Sequence, residues 1–414
     1  MSEKVKQAID YCTRNGQAQL ADYLKPVFAA SSDRLAREIL RIDLPGIEKL
    51  YAAVSSKDEI VQPDTALLEP LRSTVLSELD DVDRSELARL GDAWIASGRI
   101  AALTMAGGQG TRLGHSGPKG TFVLPLDPPV SLFQIQCEGL QRVGARNGVV
   151  IPWFIMTSAE NHADTVAYFQ EHRFFGYDPD RIWFFPQEMV PVVDFEGKLL
   201  IKDHHIVAAA NGNGGVFSSL ASSGNLERME QMGIEKVFVC GIDNARIRMA
   251  DPVFVGFAEQ SGKPLVSKSV YKRSPDEKAG VFCRRNGRPG YVEYTEISPE
   301  QAASTDADGR LLFGDAGIVA YVYDVALLRR LAVTPLPYHA ARKKVPYDRP
   351  DGTLVEPDQP NAIKFETFIF DSFDAAEDIA VLRVDRHQEF APIKNRTGED
   401  SPESLAAEAG GIPS

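Results

Sequence analysis

The sequence is poor in the residues that bind polyanions broadly: 45 Lys and Arg stand against 58 Asp and Glu, a net charge of −13. Displacing counterions from a nucleic acid takes clustered cations, so this balance argues against non-specific nucleic-acid binding, and an anionic ligand has to be small and met by a local basic pocket. Cysteine is scarce as well. Cys12, Cys137, Cys240 and Cys283 lie far apart with no Cys-x-x-Cys pair, so neither a zinc knuckle nor a disulfide framework is indicated and reduced, cytoplasmic thiols are expected. No apolar stretch approaches the roughly 18 residues of a membrane helix, and the amino terminus MSEKVKQAID is charged from its third residue, so neither secretion nor a membrane partner is expected. The 7 histidines, His204 and His205 among them, show no metal-ligand spacing, and no Ser-His-Asp arrangement can be argued.

What is present is a chain of 414 residues, 43% hydrophobic, long enough for two or three packed units. Residues 3 to about 98 space Leu, Ile, Ala and Trp94 at threes and fours, which predicts helices, with Ser32 or Asp83 as N-caps and Gly98 as a stop. From Ile100 short apolar runs alternate with helical segments. IAALTMA, VVIPWFIMTS, RIWFFPQE and KVFVCGIDN read as strands. SLFQIQCEGLQRVGARNG reads as a helix capped by Ser131 and stopped by Gly148, with further helices over NHADTVAYFQEHRFFG and VFSSLASSGNLERMEQMG. Such alternation predicts a parallel α/β sheet covered on both faces, with ligands at the carboxyl ends of strands, here the loops 105–120, 186–191, 211–215 and 241–245. Beyond Lys263 a hairpin turning at Asn286-Gly287 predicts an antiparallel extension. The acidic, small-residue tail from about Gly398 is expected to be mobile.

The loop MAGGQGTRLGHSGPKG combines glycines with Arg112 and Lys119, a pairing suited to an anion: glycine lets backbone N–H groups approach and the cations neutralise charge. The dinucleotide fingerprint fails, because Leu113 stands where the third glycine is needed, and this counts against an NAD-dependent oxidoreductase. The P-loop fails too, because Lys119 follows Pro118 and precedes Gly120. What remains, Met-x-x-Gly-x-Gly-Thr-Arg-Leu-Gly-x-x-x-Pro-Lys after a buried strand, resembles the signature of nucleotidyltransferases that make nucleoside-diphosphate sugars. The segments LFQIQ, FFPQEMVPVVDFEGKLLI, NGNGGVF, DNARIRMADPVFVGF, VEYTEI, DGRLLF, KKVPY, PNAIKFETFIFD and EFAPIKN extend the likeness, over roughly residues 95 to 395, to the eukaryotic-type UDP-sugar pyrophosphorylases.

The resemblance implies a Rossmann-like nucleotidyltransferase core with a mixed, mainly parallel sheet over residues 99–375, a helical amino-terminal region over 1–98 and a small carboxyl-terminal extension over 376–414. It implies an enzyme that joins UTP and a sugar 1-phosphate into a UDP-sugar and pyrophosphate. N-acetylglucosamine 1-phosphate is the sugar the likeness favours, glucose 1-phosphate the alternative, and a non-catalytic nucleotide-sugar sensor the rival from another class. By the same resemblance Arg112 and Lys119 hold the β- and γ-phosphates, while Ala106, Gly107, Gly108, Gly110 and Thr111 approach the nucleotide. Gln187 and Gly212 read uracil, Asn213 meets the sugar, Asp243 stands near Mg²⁺ and the α-phosphate, and Lys364 serves where the two phosphates converge. Gly280, Glu293 and Tyr294 line the sugar pocket. A family Asn of that pocket is replaced here by Gly317, which removes a hydrogen-bonding side chain; Asp315 is a candidate substitute.

Overall fold

The computed structural model describes residues 1–24, 29–55 and 67–407. They form two units, neither contiguous in sequence. The smaller comprises residues 1–62, 188–215 and 336–368, and the larger 63–187, 216–335 and 369–414. This differs from the serial division at 98 and 375, because strands and loops distant in sequence pack together and sequence periodicity carries no record of that.

The larger unit is built on an 11-stranded sheet. Four parallel neighbours, Lys236–Gly241, Ile100–Met105, Trp153–Thr157 and Ile182–Pro186, make one half. Ile100–Met105 is buried at all its positions, as a strand covered on both faces requires. On the other side of Lys236–Gly241 the strand Asp315–Asp324 runs antiparallel and passes to Leu265–Tyr271, which pairs in parallel with Ala380–Arg383. The sheet is therefore mixed and mainly parallel, as expected, with the hairpin Val281–Arg285/Arg288–Val292 turning at Asn286-Gly287, where both φ are positive (53° and 78°). The register between Leu265–Tyr271 and Asp315–Asp324 shifts at Ser267/Ser269, a bulge in which Val319 takes a φ of 54°.

The helix Leu132–Asn147 has the expected ends: the Ser131 hydroxyl accepts from the Gln134 N–H, and Gly148 is left-handed. Other helix limits differ. Ser32 lies inside the helix Ala29–Ile39, and the cap of Asp81–Ala96 is Asp80, whose carboxylate accepts from the Asp83 N–H. The segment read as one helix after Gly215 is two, Val216–Ser222 and Asn225–Gln231, broken at Gly224 with φ 72°. The tail beyond Gly398 is also structured in part: Pro402–Ala407 is helical and Leu405 is buried in the main core, because one apolar side chain anchors an otherwise polar segment; residues 408–414 lie outside the described residues.

In the smaller unit the helices Glu3–Arg14 and Leu44–Ser55 contribute Val5, Ala8, Leu44 and Ile47 to a core shared with Val193, Leu199, Ile363 and Phe365. Its sheet pairs Ala362–Glu366 with His339–Lys343 and with Val193–Asp194. Among the described residues no helix is long and apolar enough to cross a membrane.

Candidate active site

Within the larger unit the glycine loop leaves the carboxyl end of Ile100–Met105 and closes on itself. Gly110 N–H donates to Gly117 O (3.0 Å) and Lys119 N–H to Gly108 O (3.0 Å), so two short turns, Thr111–Leu113 and Lys119–Thr121, are strapped into one compact loop. A side-chain clasp reinforces it. The Thr121 hydroxyl lies 2.9 Å from Pro118 O and 2.7 Å from His115 Nε2, so it bridges the two halves of the loop. Asn161, fully buried, donates from Nδ2 to Ala106 O (3.0 Å) and Gly108 O (3.3 Å) and holds the loop to its neighbour strand. Thr111, Arg112 and Gly108 remain exposed, Ala106 and Gly110 are buried.

Gly107 is glycine because of Gln187. A Cβ at 107 would stand 2.4 Å from Gln187 Nε2 and 3.4 Å from Thr157 O. Gln187 itself is buried and continues the parallel pairing, its N–H donating to Thr157 O at 2.8 Å. The amide assigned to uracil and the glycine assigned to the nucleotide are thus direct neighbours at the ends of two strands.

Lys119 Nζ lies 3.5 Å from Asp243 Oδ2, with side chains 16% and 31% exposed, so an ammonium and a carboxylate face one another in a partly desolvated cleft. The distance is at the long limit of a hydrogen bond, which makes this a charge pairing rather than a tight contact. The loop bearing Asp243 is fastened from far along the chain. Ile393 N–H donates to Asp243 O (2.8 Å), Ala245 N–H to Ala391 O (3.0 Å), and the Asn244 side chain bonds Glu389 O (2.7 Å) and Ala391 N–H (2.9 Å). Glu389 in turn meets Lys268, whose Nζ also bonds Asp251 at 2.8 Å; Lys268 is fully buried. A buried charge is tolerated when it is paired, and here two carboxylates pair one ammonium. From below, Gln136 Nε2 donates to Gly241 O (2.9 Å) while Thr104 Oγ1 donates to Gln136 Oε1 (2.7 Å), tying the two central strands together.

Among the residues assigned to the sugar, Gly280 is buried, Glu293 follows the strand Arg288–Val292 with its N–H on Glu296 Oε2 (3.0 Å), and Tyr294 is 44% exposed. Asp315 is not free to replace the missing amide. It is buried, and its oxygens accept from Ser73 (2.9 Å), Ser269 (2.7 Å) and Arg383 Nε and Nη2 (2.7 Å each).

The smaller unit carries the remaining assignments. Gly212 has φ 74°, and a Cβ there would meet Thr367 O at 2.3 Å. Thr367 O accepts from Gly214 N–H (3.0 Å), and Thr367 donates through its N–H and its hydroxyl to Asn211 O (2.9 Å each), so the 211–214 loop, Asn213 included, is bound to the end of the Ala362–Glu366 strand. Lys364 on that strand pairs with Glu366 at 2.7 Å.

The family described as UTP–glucose-1-phosphate uridylyltransferase has a model that matches residues 47–398 of this chain. The chain belongs to that family. It is similar to the UDP-N-acetylglucosamine pyrophosphorylase of Saccharomyces cerevisiae, 40% identical over 407 residues, which are 95% of this chain and 83% of the relative. The human UDP-N-acetylhexosamine pyrophosphorylase-like protein 1 is 40% identical over 349 residues, 81% of this chain and 68% of the relative. Among solved structures, the uridine diphosphate N-acetylglucosamine pyrophosphorylase of Trypanosoma brucei superposes with a TM-score of 0.81 at 29% identity, covering 98% of this chain and 84% of that one.

Besides the side chains assigned to the ligand, others hold the loops that carry them. Asn161, His115, Gln136 and Asn244 do that work, and sequence reasoning did not find them. Gln109 was also passed over: its Oε1 is buried in the glycine loop without a hydrogen-bond partner. An isolated polar residue outside a motif gives no signal until its partners, some as distant as Asn244 and Ala391, are known.

Proposed function

We propose that this chain transfers the uridylyl group of UTP to a sugar 1-phosphate, N-acetylglucosamine 1-phosphate foremost. A phosphate oxygen of the sugar 1-phosphate attacks the α-phosphorus, the bond from that phosphorus to the bridging oxygen breaks, and pyrophosphate leaves with the bridging oxygen. The observation that carries the reading is the Lys119–Asp243 pair at 3.5 Å beside a glycine loop, in a chain 40% identical to an enzyme named for this sugar nucleotide. Two anions must meet in line, so positioning and charge neutralisation are the protein's main tasks.

In this reading Lys119 and the exposed Arg112 take the charge that grows on departing pyrophosphate, and Gln187 pairs with the uracil edge, since a carboxamide offers both a donor and an acceptor. Gly212 and Asn213 serve uracil and sugar, and Lys364 serves the converging phosphates. Asp243 is the residue that would hold Mg²⁺. One carboxylate, with phosphate oxygens and water completing the shell, suits that ion, which supplies further charge neutralisation when bound. All four cysteines are buried free thiols, the state that a reducing cytoplasm maintains.

The test is pyrophosphate release from UTP with a panel of hexose and N-acetylhexosamine 1-phosphates, with and without Mg²⁺. Release is expected with N-acetylglucosamine 1-phosphate and to depend on the metal. Preference for glucose 1-phosphate overturns the choice of sugar, and no release with any member overturns the activity.

A further inference from the structure

Tyr291, on the strand Arg288–Val292, fills the space that a side chain at position 317 would enter. A Cβ on Gly317 would lie 2.9 Å from Tyr291 Cε2 and 3.1 Å from its hydroxyl oxygen, and a Cβ on Gly280 would lie 2.3 Å from Cε1 and 2.9 Å from the same oxygen. Neither glycine has a positive φ, so the backbone does not demand glycine at these two positions; the phenol does. Its hydroxyl end is wedged between two residues that belong, by family resemblance, to the sugar pocket.

The ring is fixed from three sides. It stacks on Phe370 (centroids 4.9 Å apart, 25° between planes) and meets Phe282 (5.4 Å, 77°) and Phe373 (6.2 Å, 83°) edge to face. Such packing settles where the polar end of a tyrosine points. Burial first, then the neighbouring Tyr321 and Glu293, push the phenol well above its ordinary value of 10.0, against a smaller lowering by a hydrogen bond from the Gly317 backbone, which the hydroxyl oxygen accepts. The hydroxyl therefore keeps its proton at neutral pH and can donate it, and the influence of Glu293 brings a second assigned sugar residue into its surroundings.

Resting on the uridylyltransferase reading, we infer that Tyr291 is the specificity-determining residue of the sugar pocket: its hydroxyl donates to an oxygen of the sugar, in place of the amide that a side chain at 317 would have supplied. Asp315, saturated by Ser73, Ser269 and Arg383, cannot take that part. The exchange is one of space as well as of chemistry, because an amide at 317 and a phenol at 291 cannot both be accommodated.

Steady-state kinetics of Tyr291→Phe tests this, since the substitution keeps the ring and its stacking and removes only the hydroxyl. The KM for the sugar 1-phosphate is expected to rise about tenfold, the usual consequence of losing one buried hydrogen bond, with the KM for UTP and the melting temperature unchanged. Gly317→Asn alone is expected to abolish sugar use, and Gly317→Asn combined with Tyr291→Ala to restore it. A wild-type sugar KM in Tyr291→Phe, while UTP-dependent pyrophosphate release continues, overturns the inference and leaves the activity standing. A parallel rise in both KM values with a lower melting temperature marks Tyr291 as structural and overturns it too. Failure of the unmodified chain on every sugar 1-phosphate refutes the uridylyltransferase reading instead.

Discussion

Lys119 and Asp243, 124 residues apart, face one another at 3.5 Å beyond the carboxyl ends of two adjacent parallel strands, Ile100–Met105 and Lys236–Gly241. A cation set at that edge can engage an anionic substrate, and the carboxylate beside it keeps the ammonium in place. Replacing Lys119 by Ala is expected to lower kcat at least about a hundredfold, the loss typical of removing one preorganised charge stabiliser. Pyrophosphate release measures it, with far-UV circular dichroism confirming the fold; near-normal turnover would remove Lys119 from the machinery.

Gly107→Ala is the subtler variant. Its methyl group would displace the Gln187 amide, 2.4 Å away, without touching the cations. The KM for UTP is expected to rise about tenfold, and preference for UTP over CTP to shrink, while the sugar 1-phosphate KM stays put. Unchanged base discrimination would separate Gln187 from uracil.

Stability should decline on the alkaline side. Burial raises Tyr177, Tyr321 and Tyr323 above the ordinary 10.0, and although burial alone would lower the Lys268 ammonium, Asp251 and Glu389 reverse that and hold it above 10.5. Above about pH 10 the unfolded chain has released these protons and the folded chain has not, so the folded state binds more protons and stability falls as pH rises; below that pH their contribution is complete. Urea midpoints should fall from about pH 10 upward, and less steeply in Tyr323→Phe. A flat profile there would contradict the burial of these phenols.

The thiols should be inert in the folded protein. Burial pushes Cys137 and Cys240 up to about 12 and Cys12 and Cys283 up to about 11, which leaves little thiolate near neutrality. Iodoacetamide is expected to label none of them under native conditions and all of them in denaturant, read by intact-mass spectrometry. Rapid native labelling of Cys240 would run against its position in the central strand.

The sequence made local features legible and distant ones not. Ser131 and Gly148 announce the ends of a helix because caps are chosen by neighbouring backbone, and the alternation after Ile100 announces the parallel strands because burial on both faces leaves an apolar run. The break at Gly224 was hidden, since one glycine inside a helical pattern is tolerated as often as it interrupts. The fastening of Asn244 by Glu389 and Ala391 was hidden for another reason: it spans 145 and 147 residues, and nothing in either segment names the other. The substitution at Gly317 was legible as a loss. What compensates it became visible only once Tyr291 was seen to fill the gap.

The fastening of the Asp243 loop also sets an order of assembly. A nascent chain emerging from the ribosome with its glycine loop, its four parallel strands and Asp243 complete still lacks the partners of Asp243 O and Ala245 N–H, which come from Ile393 and Ala391. Before those residues arrive, the near end of the Asp243 loop already has Gln136 Nε2 on Gly241 O (2.9 Å) and Ile242 N–H on Met105 O (3.2 Å), while its far end still lacks its partners. The bonds that complete the acidic side of the site therefore wait on residues 389–393.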